Sequence, residues 1–349
     1  MADYFAMNHD ELTAEKTALE AQYKKFQGMN LKLNMARGKP GPHQMDLAMD
    51  LLKMDNYITD NGFDTRNYGE LEGLPEARAL FADVFGVQPG EVFVGGNSSL
   101  QLMYNLVAIG MMFGFQDSPK PWGQVEHRKF LCPVPGYDRH FAITEEMGFE
   151  LISVPMSPDG PDMDMIEKLV AEDDTIKGIW CVPKYSNPQG ITYSDETVRR
   201  FARLKPAAED FRIYWDNAYG IHHLYEDKQD SLVEIFMECK KEGNPDMVYK
   251  FCSTSKVSFP GSGVAAIAAS TENLVAIREQ MQIQTIGHDK LNQLRHARYY
   301  KDIHGMVQHM KKHADILRPK FETVLNVLEK ELGGLEIGSW IRPRGGYFI

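Results

Sequence analysis

The chain has 349 residues, of which 43% are hydrophobic and 25% charged, a balance that suits one large or two moderate globular domains with a substantial core. The net charge of -11 is spread without acidic or basic blocks, which argues against nucleic acid or an anionic membrane surface as a partner. The sequence shows no apolar stretch of about 20 residues and no N-terminal signal pattern. Its four cysteines lack metal-ligand spacing and are predicted to be buried thiols of a cytoplasmic protein.

The first predicted element is an amphipathic helix over residues 10–26, with apolar side chains at Leu12, Leu19 and Tyr23 and a stop signal at Gly28. Beyond it, strand-like runs alternate with helical patterns. The predicted strands are 91–94, 129–132, 149–154, 177–182, 211–215, 247–252 and 264–269. The predicted helices are 74–85, 98–112, 137–147, 163–170 and 194–204. This alternation predicts an α/β protein with three layers, α/β/α, in which the middle layer is a mainly parallel, seven-stranded sheet.

The C-terminal part of the chain has a different pattern. Residues 301–332 are predicted to form one long helix, bent near Pro319, and a new element begins at Leu335. The chain ends in an apolar run, 345–349, so an incomplete smaller α+β domain is expected. The predicted division is an N-terminal helix and arm over 1–45 that packs with the small domain, a large domain over 46–300, and an interdomain helix with the start of the small domain over 301–349.

A lysine at the end of a predicted strand is the first candidate for chemistry. Lys256 follows the run 251–255 and precedes Phe259-Pro260-Gly261. Loss of hydration at the mouth of an apolar strand lowers the pKa of an ammonium group, so the neutral amine becomes accessible for an imine with a carbonyl compound. Taken alone, a lysine in this setting is more often a surface residue of a polar turn.

Other segments carry the groups that such an imine needs if the aldehyde is pyridoxal phosphate, whose protonated ring accepts electrons. Asp216 follows an apolar strand and would suffer desolvation unless it paired with a cation such as the ring nitrogen. Asn187 and Tyr219 carry donors suited to the ring hydroxyl oxygen. Tyr137, after another predicted strand, offers a face on which the ring can stack.

A phosphate group needs backbone N–H groups at a helix start together with small hydroxyl side chains. The segment Gly95-Gly96-Asn97-Ser98-Ser99 lies between a predicted strand and a predicted helix, so it offers that geometry. Each of these motifs alone is compatible with a plain turn, a helix cap or core packing. Their occurrence together, each at the end of a predicted strand, favours one cofactor site.

With these motifs the sequence resembles the class I aminotransferases of the pyridoxal phosphate fold type I family. The resemblance extends over residues 68–348, and in residues 33–40 and 289–296 it is to the bacterial aspartate aminotransferases of subgroup Ic. The matching pieces are Tyr68-Gly69, Gly95-Gly96-Asn97-Ser98, Pro135-Gly136-Tyr137, Asn187-Pro188-Gln189-Gly190, Asp216-Asn217-Ala218-Tyr219, Ser253-Thr254-Ser255-Lys256 and Pro343-Arg344-Gly345-Gly346-Tyr347-Phe348.

The resemblance implies a role for each candidate. Lys256 would carry the internal aldimine and then move a proton, Asp216 would face the ring nitrogen, and Asn187 and Tyr219 would contact the ring hydroxyl. Tyr68 would reach the phosphate of a neighbouring subunit, which implies a homodimer with shared sites. Gly38 would approach the substrate carboxylate through its backbone, and Asn187 would also lie near the substrate. The residues implied to hold the phosphate are Ser98 and Ser253, helped by Asn97, Ser99 and Ser255.

The sequence departs from the family pattern at two places. The family usually has an arginine two residues beyond the glycine that follows the lysine, but here Gly261 is followed by Ser262 and Gly263. Another cation is therefore expected to neutralise the phosphate. The family arginine that holds the substrate α-carboxylate would lie beyond residue 349, so the chain is expected to be C-terminally truncated.

The leading hypothesis is an aminotransferase that moves an amino group between small molecules, from aspartate to 2-oxoglutarate, by a ping-pong route. A distal substrate carboxylate needs a cation, for which Lys290 and Arg295 are candidates by position. A β-lyase or decarboxylase with the same cofactor, and a non-catalytic cofactor-sensing regulator domain, are the alternatives. No metal is expected, because His222 and His223 are adjacent and lack a suitably spaced third ligand.

Overall fold

The computed structural model describes residues 3–33 and 38–349, so positions 34–37 of the 33–40 motif lie outside the described residues. Within these residues the chain forms eleven α-helices and eight β-strands. The helices are α1 (His9–Gly28), α2 (Pro42–Asp46), α3 (Pro75–Phe85), α4 (Ser99–Met112), α5 (Asp138–Glu146), α6 (Met163–Glu172), α7 (Asp195–Ala202), α8 (Ile235–Lys241), α9 (Thr271–Gln284), α10 (Lys290–Tyr300) and α11 (Ile303–Leu332). The strands are β1 (Val92–Val94), β2 (Lys129–Val134), β3 (Glu150–Ser157), β4 (Gly160–Pro161), β5 (Ile176–Cys181), β6 (Arg212–Asp216), β7 (Val248–Ser253) and β8 (Ala265–Ala268).

All eight strands belong to one sheet with the order β1-β8-β7-β6-β5-β2-β3-β4. The five strands from β7 to β3 in this order run parallel, whereas β8 is antiparallel to both of its neighbours. The seven predicted strands are all present, and the prediction of a mainly parallel sheet is confirmed. The strand number was wrong by one, because β4 pairs only two residues with the end of β3 and so short a strand leaves no periodic pattern.

Helices cover both faces of the sheet, which confirms the three-layer α/β/α class. Side chains alternate between the two faces along each strand. In β6, Tyr214 packs on the side of α4, α5 and α9, whereas Ile213 and Trp215 pack on the side of α6, α7 and α8. Near β1 and β8, α3 and one residue of α10, Leu294, complete the core. The central strands are therefore buried on both faces, and polar side chains lie where the strands end.

Buried charged side chains form hydrogen bonds with one another at the amino ends of β5 and β6. Lys177 Nζ donates to Asp210 Oδ1 at 2.8 Å, and Trp122 Nε1 donates to Asp210 Oδ2 at 2.8 Å. Asp210 is fully buried, and both of its oxygens have donors. The Asp210 carboxylate is therefore satisfied by other residues of the chain. The candidate site lies at the opposite edge of the sheet, where the central strands end.

Four helices, α2, α8, α9 and α10, were missed in the sequence. In α10 the side of the helix that faces the protein carries polar residues, because Asn292, Gln293 and His296 are all buried. These polar residues interrupt the pattern of apolar residues at helical spacing, which weakens the signal for a helix. Its start is set locally, since the carboxylate of Asp289 accepts a hydrogen bond from the backbone N–H of Asn292.

The two terminal regions differ in how they pack. α1 has no buried residue, and the apolar side chains of the predicted amphipathic face, Leu12, Leu19 and Tyr23, are exposed. α11 continues through Pro319 and buries Met306, among other residues, near its start. Of the helices in the part of the chain that the structure describes, none is long and apolar enough to cross a membrane. All four cysteines are buried and free.

Candidate active site

A cavity of about 490 Å³ opens at the carboxyl ends of the central strands. Because parallel strands end at the same edge of the sheet, the loops that follow β2, β5, β6 and β7 converge there. Its walls come from these loops, from the segment 38–40 and from the C-terminal Phe348. The lining residues are Gly38, Lys39, Pro40, Gly136, Tyr137, Asp138, Arg139, Val182, Asn187, Asp216, Ala218, Tyr219, Ser255, Lys256, Pro260 and Phe348.

Lys256 ends a short 3-10 turn, Thr254–Lys256, that directly follows β7. Its Nζ lies 4.8 Å from the centre of the Tyr219 ring, an arrangement typical of a cation–π contact. Burial lowers the pKa of Lys256 below that of an ordinary lysine, and the charge of Asp216 opposes this shift in part. The amine therefore loses its proton more readily than a lysine in water, as a nucleophilic amine requires.

Asp216 is the last residue of β6 and is only 6% exposed. Its Oδ2 lies 3.1 Å from His140 Nε2, and the His140 ring stacks on Trp180 at 4.8 Å. Oδ1 of Asp216 is buried and has no hydrogen-bond partner within residues 3–33 and 38–349. A buried carboxylate oxygen without a donor is costly, so this atom is suited to a protonated group bound in the cavity.

Tyr219 and the C-terminal segment form one aromatic wall of the cavity. The Tyr219 ring lies 6.1 Å from that of Tyr347 and 6.4 Å from that of Phe348, and burial raises the pKa of the Tyr219 hydroxyl. Gly38 lies against the same segment, because a Cβ at Gly38 would be 2.8 Å from Phe348 Cζ. A side chain at position 38 would push the Phe348 ring aside, so glycine allows the arm to approach the wall this closely.

The segment before α4 lies beside the end of β7. Ala265 N–H donates to Gly96 O at 2.8 Å, which fixes the glycine turn against the sheet. Ser98 is the N-cap of α4, yet its side chain makes no capping hydrogen bond. Ser255 Oγ donates to Asn97 O at 3.4 Å, and Ser253 Oγ donates to Ser255 Oγ at 3.0 Å. The free N–H groups of a helix start and several hydroxyls thus meet where a phosphate could bind.

The structure brings most of the predicted site residues to this cavity, but not all of them. Ser255 lines it, whereas Asn97, Ser98, Ser99 and Ser253 are not among the lining residues. Tyr68 is 76% exposed and is not part of the cavity of its own chain.

The two basic residues proposed for a distal carboxylate, Lys290 and Arg295, do not line the cavity either. Lys290 Nζ donates instead to His288 O at 3.3 Å. Since the side-chain positions in α10 depend on a helix that the sequence pattern did not reveal, their placement needed the tertiary structure.

The position of the usual family arginine is crowded. A Cβ at Gly263 would lie 3.2 Å from Ser255 N and 3.3 Å from Phe259 O. Both are backbone atoms and cannot move away as a flexible side chain can. A larger residue here would displace the turn that carries Lys256, which accounts for glycine at position 263.

Four functional candidates were missed in the sequence: His140, Lys39, Arg139 and Phe348. His140 follows Tyr137 by three residues on α5, so its position one helical turn into a helix is the only signal. Lys39 and Arg139 are exposed, and neither makes an ion pair with another described residue. They are the basic side chains, besides Lys256, that line the cavity.

The two adjacent histidines have different surroundings. His223 Nδ1 lies 2.7 Å from the Tyr185 hydroxyl, whereas His222 is buried with both ring nitrogens unpartnered among the residues described. No group of three or more His, Cys, Asp or Glu side chains in ranges 3–33 and 38–349 is arranged to hold a metal ion.

These residues fit pyridoxal phosphate as one group. The unpartnered oxygen of Asp216 suits the ring nitrogen, the amine of Lys256 suits the aldehyde, and the hydroxyls beside the start of α4 suit the phosphate. The fit rests on these hydroxyl and amine groups and on the buried carboxylate of Asp216.

Comparison with known proteins agrees with this geometry. The family model described as aspartate amino-transferase matches residues 7–349. A putative aminotransferase of Mycolicibacterium smegmatis is 45% identical over 349 residues, which cover 99% of this chain and 81% of that protein. The aspartate aminotransferase of Corynebacterium glutamicum is 42% identical over 334 residues, covering 95% of this chain and 77% of that protein.

A solved structure extends the likeness to the fold. The crystal structure of an aspartate transaminase from Corynebacterium glutamicum matches with a TM-score of 0.94 at 40% identity, covering 97% of this chain and 80% of that chain. The fold and the site together define a class I aminotransferase of the pyridoxal phosphate fold type I. The chain belongs to the aspartate aminotransferase family.

Proposed function

We propose that the protein uses pyridoxal phosphate, attached to Lys256, to move an amino group from aspartate to 2-oxoglutarate by a ping-pong route. The observation that carries this proposal is the pairing of two groups in one cavity: a lysine whose pKa is lowered by burial and a buried acid with one unpartnered oxygen. The preference for aspartate is supported by the 42% identity to the aspartate aminotransferase of Corynebacterium glutamicum.

Each residue has a defined task in this proposal. When bound, the cofactor supplies an electron sink that stabilises negative charge at the substrate α carbon. Asp216 keeps a proton on the ring nitrogen, and the contact between Asp216 and His140 holds the carboxylate in place. Lys256, once its amine is free, would move a proton between the substrate α carbon and the cofactor carbon.

The remaining residues orient the reactants. Tyr137 would stack on the ring, and Asn187 and Tyr219 would donate hydrogen bonds to the ring oxygen. Gly38 offers its backbone to the substrate carboxylate. The proposed phosphate ligands are Asn97, Ser98, Ser99, Ser253 and Ser255, with Tyr68 supplied by a second subunit.

Product analysis tests the reaction. Aspartate and 2-oxoglutarate should give oxaloacetate and glutamate, and aspartate alone should convert the cofactor to its amine form in one half-reaction. Release of ammonia or carbon dioxide instead would identify a lyase or a decarboxylase. Cofactor binding without any turnover would favour a sensing domain.

Arg139 is expected to bind the distal carboxylate of the substrate. It lines the cavity and makes no ion pair with a described residue, so its charge is available. Replacing it with methionine removes a charged hydrogen bond worth ~2 kcal/mol. The value of kcat/KM for aspartate should therefore fall roughly 30-fold. The value for alanine, which lacks a distal carboxylate, should not change.

Arg203→Met is the matched control, because Arg203 is the C-cap residue of α7 and pairs with Glu196. It should leave both substrates unaffected. An equal loss for aspartate and alanine in Arg139→Met would show that Arg139 does not read the distal carboxylate.

A homodimer is proposed from an exposed apolar surface beside the site. A Cβ at Gly287 would lie 2.7 Å from Gly69 O, so the two backbones touch and bring together Tyr68 and Ile286, which are 76% and 62% exposed. Exposed apolar patches commonly mark protein interfaces. Tyr68 of a second copy would then have a route to the phosphate end of the cavity.

Ile286→Asp is expected to weaken the dimer by ~3 kcal/mol, roughly 100-fold in Kd, since a charge would be buried at the contact. Sedimentation of serial dilutions measures this change. Val327→Asp on α11 introduces the same charge at another exposed apolar position, 53% exposed, and should sediment as the unaltered protein does. A monomeric unaltered chain would contradict the shared site.

We further propose that the protein is cytoplasmic and that a domain boundary lies near residue 300. The four free, buried thiols support a reducing compartment. The exposed apolar face of α1 supports packing of residues 1–45 against a second domain. Limited proteolysis that cuts first near residue 300 would support the boundary.

A further inference from the structure

The turn that carries Lys256 is held from behind by three polar side chains. Asn292 and His296 lie on α10, and His309 lies on α11; they are 6%, 1% and 4% exposed. None of the three lines the cavity. Buried polar groups are costly unless each is hydrogen-bonded, so their partners indicate what they do.

His296 holds the two hydroxyls that flank Lys256 in sequence. Its Nδ1 lies 2.8 Å from the carbonyl oxygen of Asn292, which can only accept, so Nδ1 carries the ring proton. Burial lowers the pKa of His296 to about 4, and the ring is therefore neutral near pH 7. Its Nε2 is left as an acceptor and lies 2.8 Å from Ser258 Oγ and 3.1 Å from Thr254 Oγ1.

Asn292 holds the far end of the same turn. Its Nδ2 donates to Ser262 O at 3.0 Å and to Gly263 O at 2.9 Å. One amide group thus satisfies two carbonyls at the point where the chain enters β8. The crowding around Gly263 described above shows how closely this end of the turn packs.

His309 contacts the residue that follows the lysine. Its Nε2 lies 2.9 Å from Val257 O, so this nitrogen donates to the carbonyl. The residue belongs to α11, which is a different element from α10. The turn is therefore fixed at both ends and next to its centre, by two helices.

We propose that Asn292, His296 and His309 are positioning residues that set the direction of the Lys256 amine into the cavity. The inference rests on the proposed function, in which Lys256 attaches the cofactor. Without these three side chains, the hydroxyls and carbonyls of the turn would be buried without hydrogen-bond partners. The turn would then rearrange so that these groups reach water. Displacement of a reacting group by about 1 Å can cost roughly 100-fold in rate.

His296 offers a matched pair of variants in the full-length chain. His296→Gln can place an oxygen acceptor near the position of Nε2, whereas His296→Leu removes the acceptor. In cofactor-free protein, amide hydrogen exchange of residues 254–264 should become more than about tenfold faster in the leucine variant and remain near the original rate in the glutamine variant. Attachment of pyridoxal phosphate, followed by its visible absorption, should be about 100-fold slower in the leucine variant.

Gln293→Ala controls for general loss of stability. Gln293 is a buried amide on the same helix, but its Oε1 accepts from Leu74 N–H at 2.9 Å and does not contact the lysine turn. This variant should unfold at a lower temperature while exchange of residues 254–264 keeps its original rate. A purely structural role for His296 would make Gln293→Ala and His296→Leu indistinguishable in both readouts.

The outcomes separate the two proposals. If the unaltered protein attaches no cofactor, the proposed function fails, whereas the exchange experiment still reports on the turn. If the unaltered protein attaches the cofactor and His296→Leu does so at the same rate with the same exchange, the positioning role is overturned. The positioning role is supported if His296→Gln keeps the original rates of exchange and attachment while His296→Leu does not.

Discussion

Lys256→Ala is expected to abolish attachment of pyridoxal phosphate and with it all transamination. The reason is chemical: alanine has no amine with which to hold the aldehyde or to move the proton. Absorption of the purified protein with added cofactor measures attachment, and a coupled assay for oxaloacetate measures turnover. Since burial lowers the pKa of Lys256, the attachment rate in the unaltered protein should rise with pH through a midpoint below the ordinary lysine value of 10.5.

Lys184 provides a demanding control for this experiment. It lies in the loop after β5, and burial lowers its pKa to about 8, so it is a second lysine that could react. Its Nζ donates to Gly220 O at 3.0 Å, close in sequence to Tyr219, but it does not line the cavity. Lys184→Ala should retain the absorption band. The reverse result, a band lost in Lys184→Ala and kept in Lys256→Ala, would move the attachment point.

Asp216→Asn is the second substitution with a large expected effect. Asparagine keeps the shape of the side chain and removes the negative charge, so a protonated ring nitrogen would lose its partner. Breaking one side of a buried charge pair costs ~4 kcal/mol, which corresponds to roughly a 1000-fold loss in kcat/KM. The cofactor should still attach to Lys256, because the amine and the phosphate-binding segment are unchanged.

Asp210→Asn tests whether the loss is specific. Asp210 is also a fully buried acid, but it lies at the opposite edge of the sheet and pairs with Lys177. Its replacement should lower the unfolding temperature and leave kcat/KM of the folded protein unchanged. An Asp216→Asn variant with lower stability but full activity would exclude Asp216 as the partner of the ring.

The candidate site was largely predictable because it depends on strand ends. Asp216, Asn187, Tyr137 and Lys256 each follow a run of buried residues, and a parallel sheet brings the ends of such runs to one edge. Their convergence on one cavity needed no knowledge of side-chain contacts. The motif order then identified the family, which the comparison with known proteins confirms.

The supports of the site were not predictable in the same way. His140 meets Asp216 across 76 residues of sequence, and His309 meets Val257 across 52. Neither distance leaves a periodic signal. α10 escaped prediction since part of its buried side is polar. The partners of Asn292 and His296 become visible only when the turn and the helix are placed together.

The local pattern of apolar residues shows where buried strands lie and which polar residues follow them. This pattern by itself determined the layered α/β class and the edge of the sheet at which the candidate site lies. Tertiary structure alone decided which groups satisfy the buried polar atoms of the lysine turn and which cations face the cavity. The physical reason is the separation in sequence. The periodic burial that defines a strand or helix involves residues that are close in the sequence, whereas hydrogen bonds between distant segments exist only after the chain has folded.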